Sequence, residues 1–240
     1  MPPLCLVYLT FGANRIKLVI YEDNHLLALN KPAGLLVQGD KTGDRTLIDA
    51  GKDYLREKYN KPGAIFLHPV HRIDRPVSGA VLMARTDKAL GRLTQMFRDK
   101  KVVKTYLALV LNIPENQSGL LRHFLLKDEQ KNLVSVYDAP FRDAKESITA
   151  YRVIGHYEQF TLLAVQPVTG RSHQIRAQLS SIGCSIAGDV KYGAPEPLPD
   201  TSIALHSYTI ELQHPVRQTP LVIRALPSGL IWSRLPDSLF

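Results

Sequence analysis

The sequence predicts an α+β fold class: a mixed, mostly antiparallel central sheet with flanking helices. Two observations carry that expectation. Short apolar segments with strand spacing outnumber the helical periods, and the two kinds do not alternate as a parallel α/β sheet requires. Turn-forming residues punctuate nearly every junction.

Taken in order, Ile16–Tyr21 and His25–Leu29 read as two strands around a Glu22-Asp23-Asn24 turn, closed by the loop Lys31-Pro32-Ala33-Gly34. Residues 46–59 follow a helical period, with Leu47, Ile48, Tyr54, Leu55 and Tyr59 on one side, Thr46 as cap and Pro62-Gly63 as terminator. Ala64–Leu67 reads as a short strand and Ala80–Ala84 as another, so the polar stretch 68–79 becomes a loop between strands. Thr86 caps a second helix running to about Lys100, which turns Ala89, Leu90, Leu93, Met96 and Phe97 inward and leaves a basic outer face. Lys104–Leu111 returns as a strand, and the turn-rich middle, 112–147, holds two more at Leu120–Leu126 and Leu133–Tyr137. Ser147–Ile154 and Thr161–Val168 form a strand pair. Residues 172–181 fit a helix starting at Ser172, and three β segments follow near 203–212, 220–225 and 229–232.

A chain of 240 residues is longer than the ~150-residue domain norm, which fits one large domain or a catalytic domain with two lobes. Residues 1–15 read as an extension without regular structure. The remainder, 16–240, reads as one domain. The hydrophobic share of 45% and charged share of 22% describe a globular chain. Net charge is +8, and residues 1–120 carry nearly all the excess, which points to a polyanion partner met by the first half. The two cysteines, Cys5 and Cys184, sit in no CxxC pair, so a reducing, cytoplasmic setting is expected. No apolar run approaches the ~18 residues of a membrane helix, and the first residues lack the basic start and cleavage site of a signal peptide.

The densest polar segment is His68-Pro69-Val70-His71-Arg72-Ile73-Asp74-Arg75-Pro76-Val77-Ser78-Gly79. An aspartate between two arginines is biased towards its ionised form and is available as a nucleophile, although the same pattern also serves as a plain loop salt bridge. His68, His71 and Asp74 fall at three-residue steps, a spacing that also suits metal ligation together with His173. The flanking Arg72 and Arg75 repel a divalent cation and the prolines break the face, so no metal is expected. A second cluster, Thr169-Gly170-Arg171-Ser172-His173-Gln174-Ile175-Arg176, places a glycine turn, two arginines and a histidine at a helix start, an anion-binding arrangement. No GxxxxGK[ST], GxGxxG or CxxC motif is present, so nucleotide cofactors and iron–sulfur clusters lack a visible site.

The segment HRIDRPVSG at 71–79 resembles the HRLDRxTSG signature of the RluA-type pseudouridine synthases. Five further segments are similar in order: VYEDNHLLALNKPAGLLV (19–37), KTYLALV (104–110), VTGRSHQIRAQL (168–179), GDVKYG (188–193) and LHS (205–207). The departures are Ile73 for the usual Leu and Val77 for the usual Thr. The resemblance implies the pseudouridine synthase fold with its catalytic cleft, residues 16–240 forming a single catalytic domain with no separate RNA-binding domain in front, and isomerisation of uridine in RNA without cofactor or metal. It implies that Asp74 is the nucleophile at the sugar or the uracil ring, that Tyr106 stacks on the base and takes a proton, and that Arg176 pairs with the aspartate. Arg72 is then the residue that enters the RNA stack where the base left. Arg75, His71, Arg171, His173, Lys104, Arg98 and Lys101 complete the expected RNA contacts. Ribosomal RNA is the expected substrate, transfer RNA the alternative, with the chain acting as a monomer. Two rivals remain, a catalytically silent RNA-binding protein on the same fold and a carboxylate-nucleophile glycoside hydrolase. The first has no need of Asp74, Tyr106 and Arg176 together, and the second needs a second carboxylate that neither cluster offers.

Overall fold

The computed structural model describes residues 8–11 and 14–236, with side chains from Leu18 onward. The strand pairs named below are antiparallel, and only three α-helices accompany the strands among the described residues, in line with the mostly antiparallel sheet the sequence predicts. The chain divides into two compact units, Met1–Val102 with Thr209–Leu226, and Val103–Tyr208 with Pro227–Phe240.

The expected extension lies mostly outside the described residues. Where it is described, β1 (Tyr8–Phe11) pairs antiparallel with β2 (Asn14–Lys17).

In the first unit, β3 (Val19–Glu22) pairs with β4 (Leu26–Lys31), and β4 with β6 (Ser78–Ala84). Every residue of β6 is buried, and apart from the Ser78 hydroxyl its run Ser-Gly-Ala-Val-Leu-Met-Ala carries no polar side chain. Helix α1 (Leu47–Lys58) begins where expected: Thr46 accepts from the Asp49 N–H while the Asp49 carboxylate accepts from the Thr46 N–H, a capping box. Gly51 lets it pack closely, since a Cβ there would stand 2.7 Å from the Leu67 side chain and 3.4 Å from Leu27 and Leu29 of β4. Helix α2 (Asp87–Arg98), capped by Thr86, buries Ala89 and Leu93 against Leu26, Leu82, Ile210 and Ile223. The hairpin of β12 (Leu205–Gln213) and β13 (Pro220–Arg224) supplies the last two of these.

The turn between β3 and β4 is a polar hub. Glu22 accepts hydrogen bonds from Tyr54, Tyr59, Lys58 and Arg85. Asp23 accepts from Tyr21, Arg217 and the backbone of His25 and Leu26, and bonds the fully buried His214 at 2.7 Å. Burial alone would raise the Asp23 carboxyl, but these hydrogen bonds overcome it and hold the group at about 2.

The second unit holds antiparallel strands in the order β7 (Val103–Val110), β11 (Phe160–Pro167), β10 (Lys145–Tyr157), β8 (Ser118–Asp128), β9 (Leu133–Tyr137). Helix α3 (Gln174–Ser181) lies on it, buried on nearly every side. Two buried glutamines make that possible. Gln178 donates to the carbonyls of Leu121 and Ser147 and accepts from Thr149, while Gln174 bonds Ile148, Thr149 and Thr169.

Four local expectations change. Ala64–Leu67 is not a strand, because the pairing starts one residue later, at β5 (His68–Pro69). The sheet reaches further into the turn-rich middle than its polarity suggested, since β8 alternates exposed and covered residues over its whole first half. Ser172 does not cap α3. His173 does, in the left-handed conformation at φ +50°, and the Gln174 side chain accepts from the Arg171 N–H in place of a cap hydroxyl. Residues 229–232 form no strand, and Trp232–Arg234 closes a 3-10 turn instead.

Candidate active-site elements

The segment around Asp74 is a wide excursion from β6. Pro69 pairs with Met83, the Val70 N–H donates to Leu82 O, and His71 Nε2 accepts from the Leu82 N–H at 3.0 Å. That bond places the proton of a neutral His71 on Nδ1, and the ring stacks on Phe97 at 5.2 Å. His71 is therefore a strut of the loop within this unit. Ile73 is buried, Asp74 is half-buried, and the Val77 N–H closes a turn on Asp74 O.

The loop after β4 grips the same turn. The Gly34 N–H donates to Arg75 O, Arg75 Nε donates to Gly34 O at 2.9 Å, and the Arg75 fork reaches Asp44. Beneath it lies Lys31, fully buried, donating to the carbonyls of Pro32, Leu35 and Arg75 at 3.0, 2.7 and 3.1 Å. Its burial, reinforced by the Arg75 charge, depresses the ammonium to about 7 against the opposing pull of Asp74. Sequence reasoning passed over Lys31 as part of a loop. The available signal was a lysine ending an otherwise apolar strand, a place where a charge stays only if it is hydrogen-bonded.

Arg72 is exposed, whereas Arg75 spends its guanidinium on Gly34 and Asp44. Arg98 and Lys101 are exposed, Lys101 pairing with Asp99 at 3.5 Å.

In the second unit, Tyr106 is 8% exposed on β7, opposite Val165. Lys104, two residues earlier and so on the same face, is half-buried, and burial lowers its ammonium. Arg176, on α3, is buried and forms a bidentate pair with Asp189, Nε to Oδ2 at 2.7 Å and Nη2 to Oδ1 at 2.8 Å. Its guanidinium lies over the Tyr192 ring, 4.9 Å from the centroid. His173 Nδ1 meets the Tyr192 hydroxyl at 2.8 Å, and exposed Arg171 bonds Glu146 O at 3.3 Å. Asp189 and Tyr192 were not singled out from the sequence as functional residues, although both lie in the GDVKYG segment.

Among the described residues no group of three His, Cys, Asp or Glu side chains is arranged to hold a metal, and no helix is long and apolar enough to cross a membrane.

Residues 25–181, which contain Asp74, Tyr106 and Arg176, match the family model described as RNA pseudouridylate synthase. The chain belongs to that family. It is 38% identical over 228 residues to the ribosomal large subunit pseudouridine synthase C of Vibrio vulnificus, covering 92% of this chain and 69% of the relative. The corresponding protein of Vibrio parahaemolyticus is 37% identical, with 87% and 65% covered. The tRNA pseudouridine synthase C of Vibrio cholerae is 29% identical, with 86% and 89% covered. This pseudouridylate synthase relative thus spans about two-thirds of the length of its ribosomal counterparts. In fold it matches the human RNA pseudouridylate synthase domain containing 4, with a TM-score of 0.76 at 23% identity and 90% of each chain covered.

Proposed function

We propose that the chain isomerises specific uridines in ribosomal RNA to pseudouridine, with Asp74 as the nucleophile. The family match across residues 25–181 carries this reading, and the 38% identity to a ribosomal enzyme, against 29% to a transfer-RNA enzyme, supports the choice of RNA.

The chemistry sets what each residue must do. The base has to leave the stack, at a cost of a few kcal/mol, before a carboxylate can reach the glycosidic bond or the ring. Arg72, exposed, planar and cationic, fills the gap by stacking. Tyr106 faces the extruded base and takes the proton released when carbon replaces nitrogen at the sugar. Arg176 supplies the positive charge that keeps the catalytic carboxylate ionised once water is expelled. Lys104, Arg98, Lys101, Arg171 and His173 meet the RNA backbone. The product holds the same atoms as the substrate, so the reaction balances without oxidant, reductant or cofactor.

The test is pseudouridine mapping by mass tagging on ribosomal and transfer RNA transcripts treated with wild-type protein or Asp74→Asn. Pseudouridine in ribosomal RNA with the wild type and none with Asp74→Asn is the expected result. Modification confined to transfer RNA would replace the substrate. RNA binding with no pseudouridine in any transcript would turn the reading into that of a silent binding protein.

A further inference from the structure

The arginine on α3 is held on two sides by the turn Gly188–Gly193. In its own plane, Nε and Nη2 are both committed to the Asp189 carboxylate, which is 1% exposed. On its face, the Tyr192 ring lies 4.9 Å away. A guanidinium fixed in plane and on a face cannot rotate about its long side chain, so the Nη1 end points in one direction only.

The turn itself is rigid. The N–H groups of Tyr192 and Ala194 both donate to Asp189 O, and the Asp189 N–H donates to Ile186 O. Gly188 has a φ of +82°, and a Cβ on it would stand 2.6 Å from Leu198 and 2.8 Å from Ser202 O. Tyr192 is anchored at its far end as well. Its hydroxyl accepts from the Val134 N–H of β9 at 2.9 Å and lies within hydrogen-bond distance, 2.8 Å, of His173 Nδ1. Lys191 adds a bond to Asn132 O, in the turn just before β9.

Stability does not account for this arrangement. A buried ion pair roughly breaks even against apolar groups of the same shape, and here it takes a bidentate carboxylate, an aromatic face and a locked turn to orient one side chain. We propose that Asp189 and Tyr192 are positioning residues that aim the Arg176 guanidinium for catalysis, and that the Tyr192 hydroxyl couples this aim to the β8–β9 hairpin. The inference rests on the pseudouridine synthase reading, in which Arg176 serves the reacting carboxylate.

The experiment is a double-mutant cycle on the full chain with an RNA substrate, reading kcat and KM separately. Asp189→Asn is expected to lower kcat by about 100-fold, the scale of a 1 Å misplacement, while KM moves less than about twofold. In an Arg176→Lys background the same Asp189→Asn change is expected to cost less than about threefold, because a residue acting only through Arg176 has nothing left to aim. Tyr192→Phe keeps the ring, removes only the hydroxyl, and is expected to lower kcat severalfold at constant KM. Full additivity in the cycle, or a loss confined to melting temperature, overturns the positioning role. An unchanged kcat in Tyr192→Phe overturns the coupling to the hairpin. If the wild type forms no pseudouridine on any RNA, the reading of function itself fails, a result distinct from an active wild type with indifferent variants.

Discussion

Lys31 Nζ lies 3.1 Å from the carbonyl oxygen of Arg75, so the buried end of β4 holds the residue that directly follows Asp74. The ammonium also satisfies the carbonyls of Pro32 and Leu35, which ties the two loops into one unit at the cost of burying a charge.

Stability should report that cost through pH. Lys31 binds its proton with a group pKa of about 7 when folded and at the usual 10.5 when unfolded. Between those values the unfolded chain holds more protons, so stability rises with pH by up to about 1.4 kcal/mol per unit and the penalty is complete below about 7. The stability of wild type minus that of Lys31→Met, from guanidinium unfolding at pH 7, 8 and 9, should therefore increase with pH. A flat difference would show that the lysine titrates normally.

Asp23 behaves in the opposite sense. Its folded pKa of about 2 lies below the usual 3.8, so it stabilises the fold at neutral pH and loses that contribution as pH falls towards 2. Asp23→Asn is expected to cost about 2 kcal/mol at pH 7, the scale of hydrogen bonds to a charged group. Urea unfolding of both proteins at pH 7 and pH 3 checks this, and an undiminished gap at the lower pH would contradict it.

Arg72 and Arg75, three residues apart, should separate cleanly. Arg72→Ala is expected to leave melting temperature within a degree or so and to weaken RNA turnover, with a shallower dependence of RNA affinity on salt. Arg75→Ala removes the bond to Gly34 O and the pair with Asp44, and is expected to lower stability by about 1 kcal/mol. Equal effects of the two changes on melting temperature would refute the division.

Gly188→Ala should be among the more damaging single-methyl changes. The added Cβ meets a backbone oxygen at 2.8 Å in a left-handed conformation, which calls for a loss of about 2–3 kcal/mol and displacement of Asp189 from Arg176. Thermal unfolding and turnover together test it. Alanine accepted with neither changed would mean that the turn yields easily.

Local rules settled much of this protein before any coordinates. Thr46 and Thr86 cap the two longer helices because a hydroxyl before an apolar helical period satisfies orphan N–H groups wherever it occurs. The strand-rich pattern gave a mostly antiparallel sheet, and HRIDRPVSG marked the loop of Asp74. These depend on neighbours in sequence. The end of α3 is different: Ser172 looked like the better cap, but the sheet beneath calls for Gln174 at that point, and His173 takes the strained position.

What the tertiary structure alone decided is how the polar groups are shared out. Lys31 and Arg75 lie 44 residues apart, Arg176 and Asp189 are on different elements, and the Tyr192 hydroxyl finds Val134 across 58 residues. Burial makes such a group costly unless a distant partner arrives with the right geometry, and no local pattern in the sequence records which partner that is. The sequence by itself determined the kinds of element and the chemistry of their motifs; the packing determined which charges work inward, as Lys31 and Asp189 do, and which, like Arg72, stay exposed.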